Sequence, residues 1–143
     1  MSSDLIWLLI RDQSSFLVKR NGIQLTREPG NLLNLNSLKY SGLAQKKTIH
    51  IGFPESGKGA SIITKKTSVP SHKVAKASHK SSLSKGTRGG HKTVKNILHT
   101  YRPDLEKAAL ARLSRVNEAQ KAPSVQKPKK LRGVRARKAV ATA

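Results

Sequence analysis

The order of apolar and polar positions predicts a small set of elements. Leu5-Ile6-Trp7-Leu8-Leu9-Ile10 is an unbroken apolar run that stops at Arg11. Six apolar residues suit a buried strand as well as a buried helix. Ser2 or Ser3 can cap a helix here, and Asp4 falls in its positive first turn, so a short helix is expected, with Trp7 in the core.

Ser14 to Arg20 reads as a strand, and Asn21-Gly22 follows it. Both turn positions tolerate positive φ, which makes this pair a strong two-residue hairpin signal. Ile23-Gln24-Leu25-Thr26 alternates with period two and is the expected return strand. Glu28-Pro29-Gly30-Asn31 has turn chemistry, and Ser37 to Tyr40 reads as a short third strand. Lys47 to Phe53 and Ala60 to Thr67 are rich in β-branched residues and complete a sheet, joined through the glycine-rich stretch Pro54 to Gly59. Thr93 to Leu98 starts a helix with Val94, Ile97 and Leu98 on one face. Arg102-Pro103-Asp104 opens another, because proline suits the first helical position and Asp104 and Glu106 complement the dipole. Leu105, Ala109, Leu113 and Val116 give that second helix an apolar stripe. Lys107 and Arg115 lie off the stripe; Arg112 lies near it, so its stem packs while its guanidinium reaches outward. This helix is expected to keep a basic side clear of its apolar stripe.

Charge then separates the two halves. Residues 65–143 hold 21 Lys and Arg against three acids, whereas residues 1–64 hold eight against four. A polycation of this density repels itself until a polyanion neutralises it. The formal charge of +22 and pI near 11.2 point to nucleic acid before anionic membrane or acidic protein. No apolar run approaches the ~20 residues that span a bilayer. With no basic signal-peptide start, myristoylation glycine or prenylated cysteine, a soluble intracellular chain is expected. There are no cysteines, so disulfides and thiolate chemistry are excluded. The five aromatics are thin for a core of full length, and most are expected inside it. That leaves shape and phosphate charge, not base stacking, as the expected mode of recognition.

Gly52-Phe53-Pro54-Glu55-Ser56-Gly57-Lys58 matches seven positions of a phosphate loop, but Gly59 stands where Ser or Thr must reach Mg²⁺. A strand-like segment comes next where a helix N-terminus is needed, so a glycine hairpin is expected instead of nucleotide binding. His72, His79, His91 and His99 lack metal-ligand spacing and are expected to be solvated or phosphate-facing. No Ser-His-Asp or His-Glu constellation exists at a productive spacing. No enzyme, cofactor, metal or small-molecule substrate is expected.

Trp7, Arg11, the run Ser14 to Asn21, Glu28-Pro29, Asn31-Leu32, Asn36-Ser37, Tyr40, Gly42-Leu43 and Lys46-Lys47-Thr48 occur in a telling order. Gly57-Lys58-Gly59, Tyr101 to Leu105 and Ala108-Ala109 continue it. Together they resemble the eukaryotic large-subunit ribosomal protein family conventionally numbered twenty-eight, well over residues 2–67 and more loosely over 92–120. Residues 68–91 are richer in His, Ser and Gly than that family suggests, and the tail after Pro123 is similar only in composition. The resemblance implies a component of the cytosolic ribosome, with a small α+β unit and basic extensions against ribosomal RNA. It also implies neighbouring ribosomal proteins as partners, and passage through the nucleus and nucleolus during assembly. Lys127 to Arg132 would serve as an import signal.

The expected fold is therefore α+β: a short N-terminal helix packed on a small antiparallel sheet, then C-terminal helices and a basic extended tail. The expected units are a base at 1–67, a basic linker or arm at 68–91, a helical segment at 92–121 and a tail at 122–143. Expected RNA contacts in the base are Lys19, Arg20, Lys39, Lys46, Lys47, Lys65 and Lys66. Beyond it they are Arg88, Lys92, Lys95, Arg102, Lys107, Arg112 and Arg115, with Lys129, Lys130, Arg132, Arg135, Arg137 and Lys138 in the tail. The expected function is a structural constituent of the cytosolic large ribosomal subunit. A ribosome-assembly factor sharing the N-terminal fold and a chromatin-type architectural protein are the alternatives.

Overall fold

The computed structural model describes residues 2–55, 57–70, 72–121 and 133–134. Helix α1 spans Ser3–Ile10, and the Ser2 hydroxyl caps it by accepting the Leu5 N–H at 3.2 Å. Strands β1 (Leu17–Arg20) and β2 (Ile23–Thr26) form the expected hairpin in register Leu17 to Thr26. Asn21 (φ 47°) and Gly22 (φ 76°) supply the two left-handed turn residues that a tight hairpin requires.

A second sheet has order β3-β4-β5 and is antiparallel throughout: Ile49–Gly52, Ala60–Lys65 and Ser78–Leu83. A four-residue helix α2 (Val74–Ala77) leads into β5. Helix α3 (Thr87–Tyr101), a 3₁₀ turn (Pro103–Leu105) and helix α4 (Glu106–Ala119) close the described fold. The core lies where these helices meet the sheet. Ile49, Ile51 and Ile62 come from the strands, Val94 and Leu98 from α3, and Ala109 and Leu113 from α4; each is at most 1% exposed. All four residues of the predicted α4 stripe are buried. Leu113 of α4 packs over Gly90 of α3, its Cδ2 3.4 Å from where a Cβ would stand.

Several expectations change. The stretch 68–91, expected as a linker or arm, contains the whole of β5, and α3 already begins at Thr87. The sequence Ser-His-Lys-Ser-Ser-Leu carries little β propensity. Its order comes from the ladder with β4, from Ala60–Leu83 to Lys65–Ser78, and polar, lysine-bearing composition is how edge strands avoid further pairing. Ser37 to Tyr40 is a turn instead of a strand: the Tyr40 and Ser41 amides both donate to the Ser37 carbonyl. Leu35 takes the place of that strand through an isolated bridge to Leu25. Trp7 is half-buried and lies outside the core cluster, and α1 has no buried residue. Among the tail residues only 133–134 are described, so Lys129, Lys130, Arg132, Arg135, Arg137 and Lys138 lie outside the described residues.

The phosphate-loop match resolves as a turn, because β4 begins directly after Gly59. Gly59 (φ 87°) passes so close to β5 that a Cβ would meet the Leu83 carbonyl oxygen at 2.0 Å. The Gln120 side chain, just past α4, clamps the same residue: its Oε1 accepts the Gly59 N–H at 2.9 Å and its Nε2 donates back to the Gly59 carbonyl.

Truncating a core residue should separate the packed layer from the N-terminal helix. Ile62→Ala is expected to cost about 2–5 kcal/mol in urea unfolding, while Leu8→Ala, 62% exposed, should shift stability by less than about 0.5 kcal/mol.

Candidate nucleic-acid interface

Lys39, Lys46 and Lys47 lie in the loop before β3, Lys65 and Lys66 lie at the end of β4, and the end of α3 gathers them. Pro103 disfavours a helical Arg102, which adopts φ −154° and ψ 82° and terminates α3 after Tyr101. The Tyr101 hydroxyl accepts the Thr48 N–H at 3.1 Å and donates to the Lys65 carbonyl at 2.6 Å, with the Thr48 carbonyl at 3.3 Å. Burial pushes its phenol above the ordinary value, against the pull of those backbone partners. The Arg102 guanidinium donates to the Lys47 carbonyl and the Lys39 carbonyl, both at 3.1 Å, and to both carboxylate oxygens of Asp104. Hydrogen bonding from Arg102 holds the Asp104 carboxyl below its usual range. Only 14% of the Arg102 side chain is exposed, so this guanidinium positions the lysine backbones around it.

The lysine side chains themselves turn outward. Lys46, Lys65 and Lys66 line a groove of about 630 Å³ with Ser3, Ile6 and Thr67 to Pro70. A neighbouring groove shares Ser3, Gln45, Lys46 and Thr67 and adds Lys47 and Arg102. The Lys39 and Lys47 ammonium groups each lie 5.6 Å from an aromatic centroid, those of Tyr40 and Tyr101.

The other candidates are more dispersed. Arg88, Lys92 and Lys95 recur at steps of four and three on the exposed side of α3, away from buried Gly90, Val94 and Leu98. Lys95 also pairs with Glu106 at 3.5 Å. Lys107 and Arg115 are exposed on α4, and Lys19 and Arg20 end β1 just before the hairpin turn. The Arg112 stem packs as expected, and its Nε donates to the Ile51 carbonyl at 3.4 Å. Of the histidines, His91 is a helix-to-helix contact, 3.0 Å from Ser114 Oγ, whereas His72, His79 and His99 are exposed. Among the described residues no group of three or more His, Asp or Glu side chains could hold a metal.

His50 escaped notice as a candidate. It sits half-buried on β3, where burial first and Arg112 second push its imidazole below the ordinary value. The sequence signal available was its position between two core isoleucines.

Two measurements probe these contacts. Tyr101→Phe leaves the Thr48 amide and Lys65 carbonyl without their side-chain partner and should cost about 1–3 kcal/mol in urea unfolding. For His50, the unfolded chain binds the proton more readily than the folded one below about pH 6.5. Stability is therefore full above that pH and falls as pH drops through the window down to the folded pKa. His50→Gln should flatten that part of a stability–pH profile.

The model of the Ribosomal L28e protein family matches residues 5–119. The chain is 42% identical over 124 residues to "Large ribosomal subunit protein eL28" of Dictyostelium discoideum, covering 83% of this chain and 89% of that protein. It is 37% identical over 129 residues to the protein of the same name from Schizosaccharomyces pombe, covering 85% and 94%. With most of both partners aligned, and with the family model spanning α1 through α4, the chain belongs to the Ribosomal L28e protein family.

Proposed function

We infer that this chain is a structural, non-catalytic constituent of the large ribosomal subunit that binds ribosomal RNA by shape and phosphate neutralisation. The observation that carries the reading is the set Lys46, Lys47, Lys65 and Lys66, held on one side of the molecule by Tyr101 and Arg102. Ordered backbone fixes these charges before RNA arrives, so less conformational entropy is lost on binding than for lysines on an unordered chain. Membership of a family whose relatives carry the name of a large-subunit protein supports the same reading.

The exposed basic residues of α3 and α4 (Arg88, Lys92, Lys95, Lys107 and Arg115), with Lys19 and Arg20 at the hairpin, extend the contact to further phosphates. Lys39 adds to the central group, Arg102 supports that group from beneath, and Arg112 adds charge beside Ile51. Lys129, Lys130, Arg132, Arg135, Arg137 and Lys138 contribute charge to the same RNA. Neighbouring ribosomal proteins meet the apolar side of α1, where Leu5, Leu8 and Leu9 are between 48% and 65% exposed. The segment around them holds Asp4, Arg11 and Asp12 and so lacks the positive charge that RNA would select. The protein works in the cytoplasmic ribosome and passes through the nucleus and nucleolus during assembly.

Two experiments test this. The protein should remain with mature large subunits and polysomes after a high-salt wash; loss from mature particles would indicate an assembly factor instead. Replacing Lys46, Lys47, Lys65 and Lys66 by alanine should lower the magnitude of the salt slope for RNA binding by about 3, at roughly 0.7–0.9 per phosphate contact. An unchanged slope would remove these lysines from the interface.

A further inference from the structure

None of the five aromatics is fully buried, and Phe53 is the most exposed of them at 63%. It follows β3 directly, and its backbone is fixed: the Ser61 hydroxyl donates to the Phe53 and Gly52 carbonyls at 3.2 and 3.3 Å. The ring lies in a groove of about 480 Å³ formed with His50, Gly52, Arg112, Arg115 and Val116.

The chemistry of that groove is mixed in a specific way. The Arg112 guanidinium is anchored by its Nε contact to Ile51. The Arg115 side chain is 83% exposed and pairs with Glu118 at 3.1 Å. His50 Nδ1 accepts the Gly30 amide at 3.5 Å, which leaves the ring proton of the neutral imidazole on Nε2. That nitrogen lies over Gly52, 3.0 Å from where a Cβ would stand. The groove thus offers a flat π face, two guanidinium groups and one N–H donor, on a strand and a helix that pack together in the core.

A phosphate alone has no use for the phenyl ring, and an apolar peptide has no use for two guanidinium groups. An unpaired nucleotide satisfies both, because its base stacks on an aromatic or guanidinium plane while its phosphate meets the cations. We propose that Phe53, with Arg112 and Arg115, is a stacking site for an unpaired nucleotide of the RNA that this protein binds. The site rests on the RNA-binding function inferred above and adds to it a preference for single-stranded or bulged positions.

The test compares the full-length protein on two probes by fluorescence anisotropy: an unpaired RNA strand about twelve nucleotides long and a fully paired duplex of equal length. Phe53→Ala should weaken binding to the unpaired strand about tenfold, leave the duplex within about twofold, and leave the salt slope unchanged. Phe53→Leu, which keeps apolar bulk without a π face, should lose as much, and Phe53→Trp should restore affinity. Equal effects of Phe53→Ala on both probes, or wild-type affinity in Phe53→Leu, would overturn the stacking site while leaving salt-dependent RNA binding intact. Absence of salt-dependent binding to either probe by the wild-type protein would instead overturn the RNA-binding function itself.

Discussion

One hydroxyl and one guanidinium, those of Tyr101 and Arg102, set where the described cations of the central groove stand. Like charges about 7 Å apart in water repel by about 0.6 kcal/mol per pair, so several lysines on one face oppose the fold that gathers them. Each hydrogen bond of the Tyr101–Arg102 knot is worth about 1 kcal/mol net, and those from a charged donor about 1.5–3. The knot therefore outweighs the repulsion with no anion present. It does so through the carbonyls of Lys39, Lys47 and Lys65, which leaves the ammonium groups themselves uncommitted to it. Structural polarity and binding polarity are separated within the same residues.

The two ends of the described fold are held by different forces. From β3 onward, aliphatic burial between sheet and helices dominates. Upstream, order comes from polar contacts in the loop between β2 and β3. Buried Glu28 accepts the Gly42 amide at 3.0 Å, the Ser41 hydroxyl and an Asn31 amide proton. Asn36 ties the loop to the end of α1 through the Arg11 carbonyl at 2.9 Å and to β2 through Gln24. Leu32 is the point where this loop enters the main core. Such an arrangement leaves the leucines of α1 on the surface, since no layer of the described fold is built to cover them.

Much of this was legible because the local signals are strong. Asn21-Gly22 fixed a hairpin, Ser2 capped a helix, and the apolar stripe of α4 named four buried residues. The Glu28, Asn31, Asn36 and Gly42 positions that carried the family resemblance prove to be members of the loop network, so their pattern reflected geometry that no propensity scale describes. What stayed hidden was set by tertiary context. β5 has only Leu83 among its buried residues and exists through pairing with β4. The start of α3 hid behind Gly89-Gly90, residues that read as a linker until Leu113 is seen packed on Gly90. Charge counting marked Arg102 as an RNA contact but could not show its guanidinium turned to backbone carbonyls. Composition put most of the five aromatics inside, whereas none is fully buried, because scarcity is an argument about averages and not about any one ring.

A protein with this much positive charge has no difficulty finding RNA; its difficulty is stopping at one place. Phosphate contacts fix affinity but are nearly blind to sequence, so they hold equally well in many registers along a helix. A single stacked base contributes about 1–3 kcal/mol, small beside the sum over a dozen phosphates but confined to positions where a base is free. That increment corresponds to a preference of roughly five- to a hundred-and-fifty-fold between otherwise equivalent registers. An aromatic ring on a rigid strand end, flanked by guanidinium groups, is therefore suited to choosing the register that the lysines then secure. On this view the exposed Phe53 is not a packing defect of a thin core. It is the most exposed of the five aromatics, and the fold sets it beside two guanidinium groups.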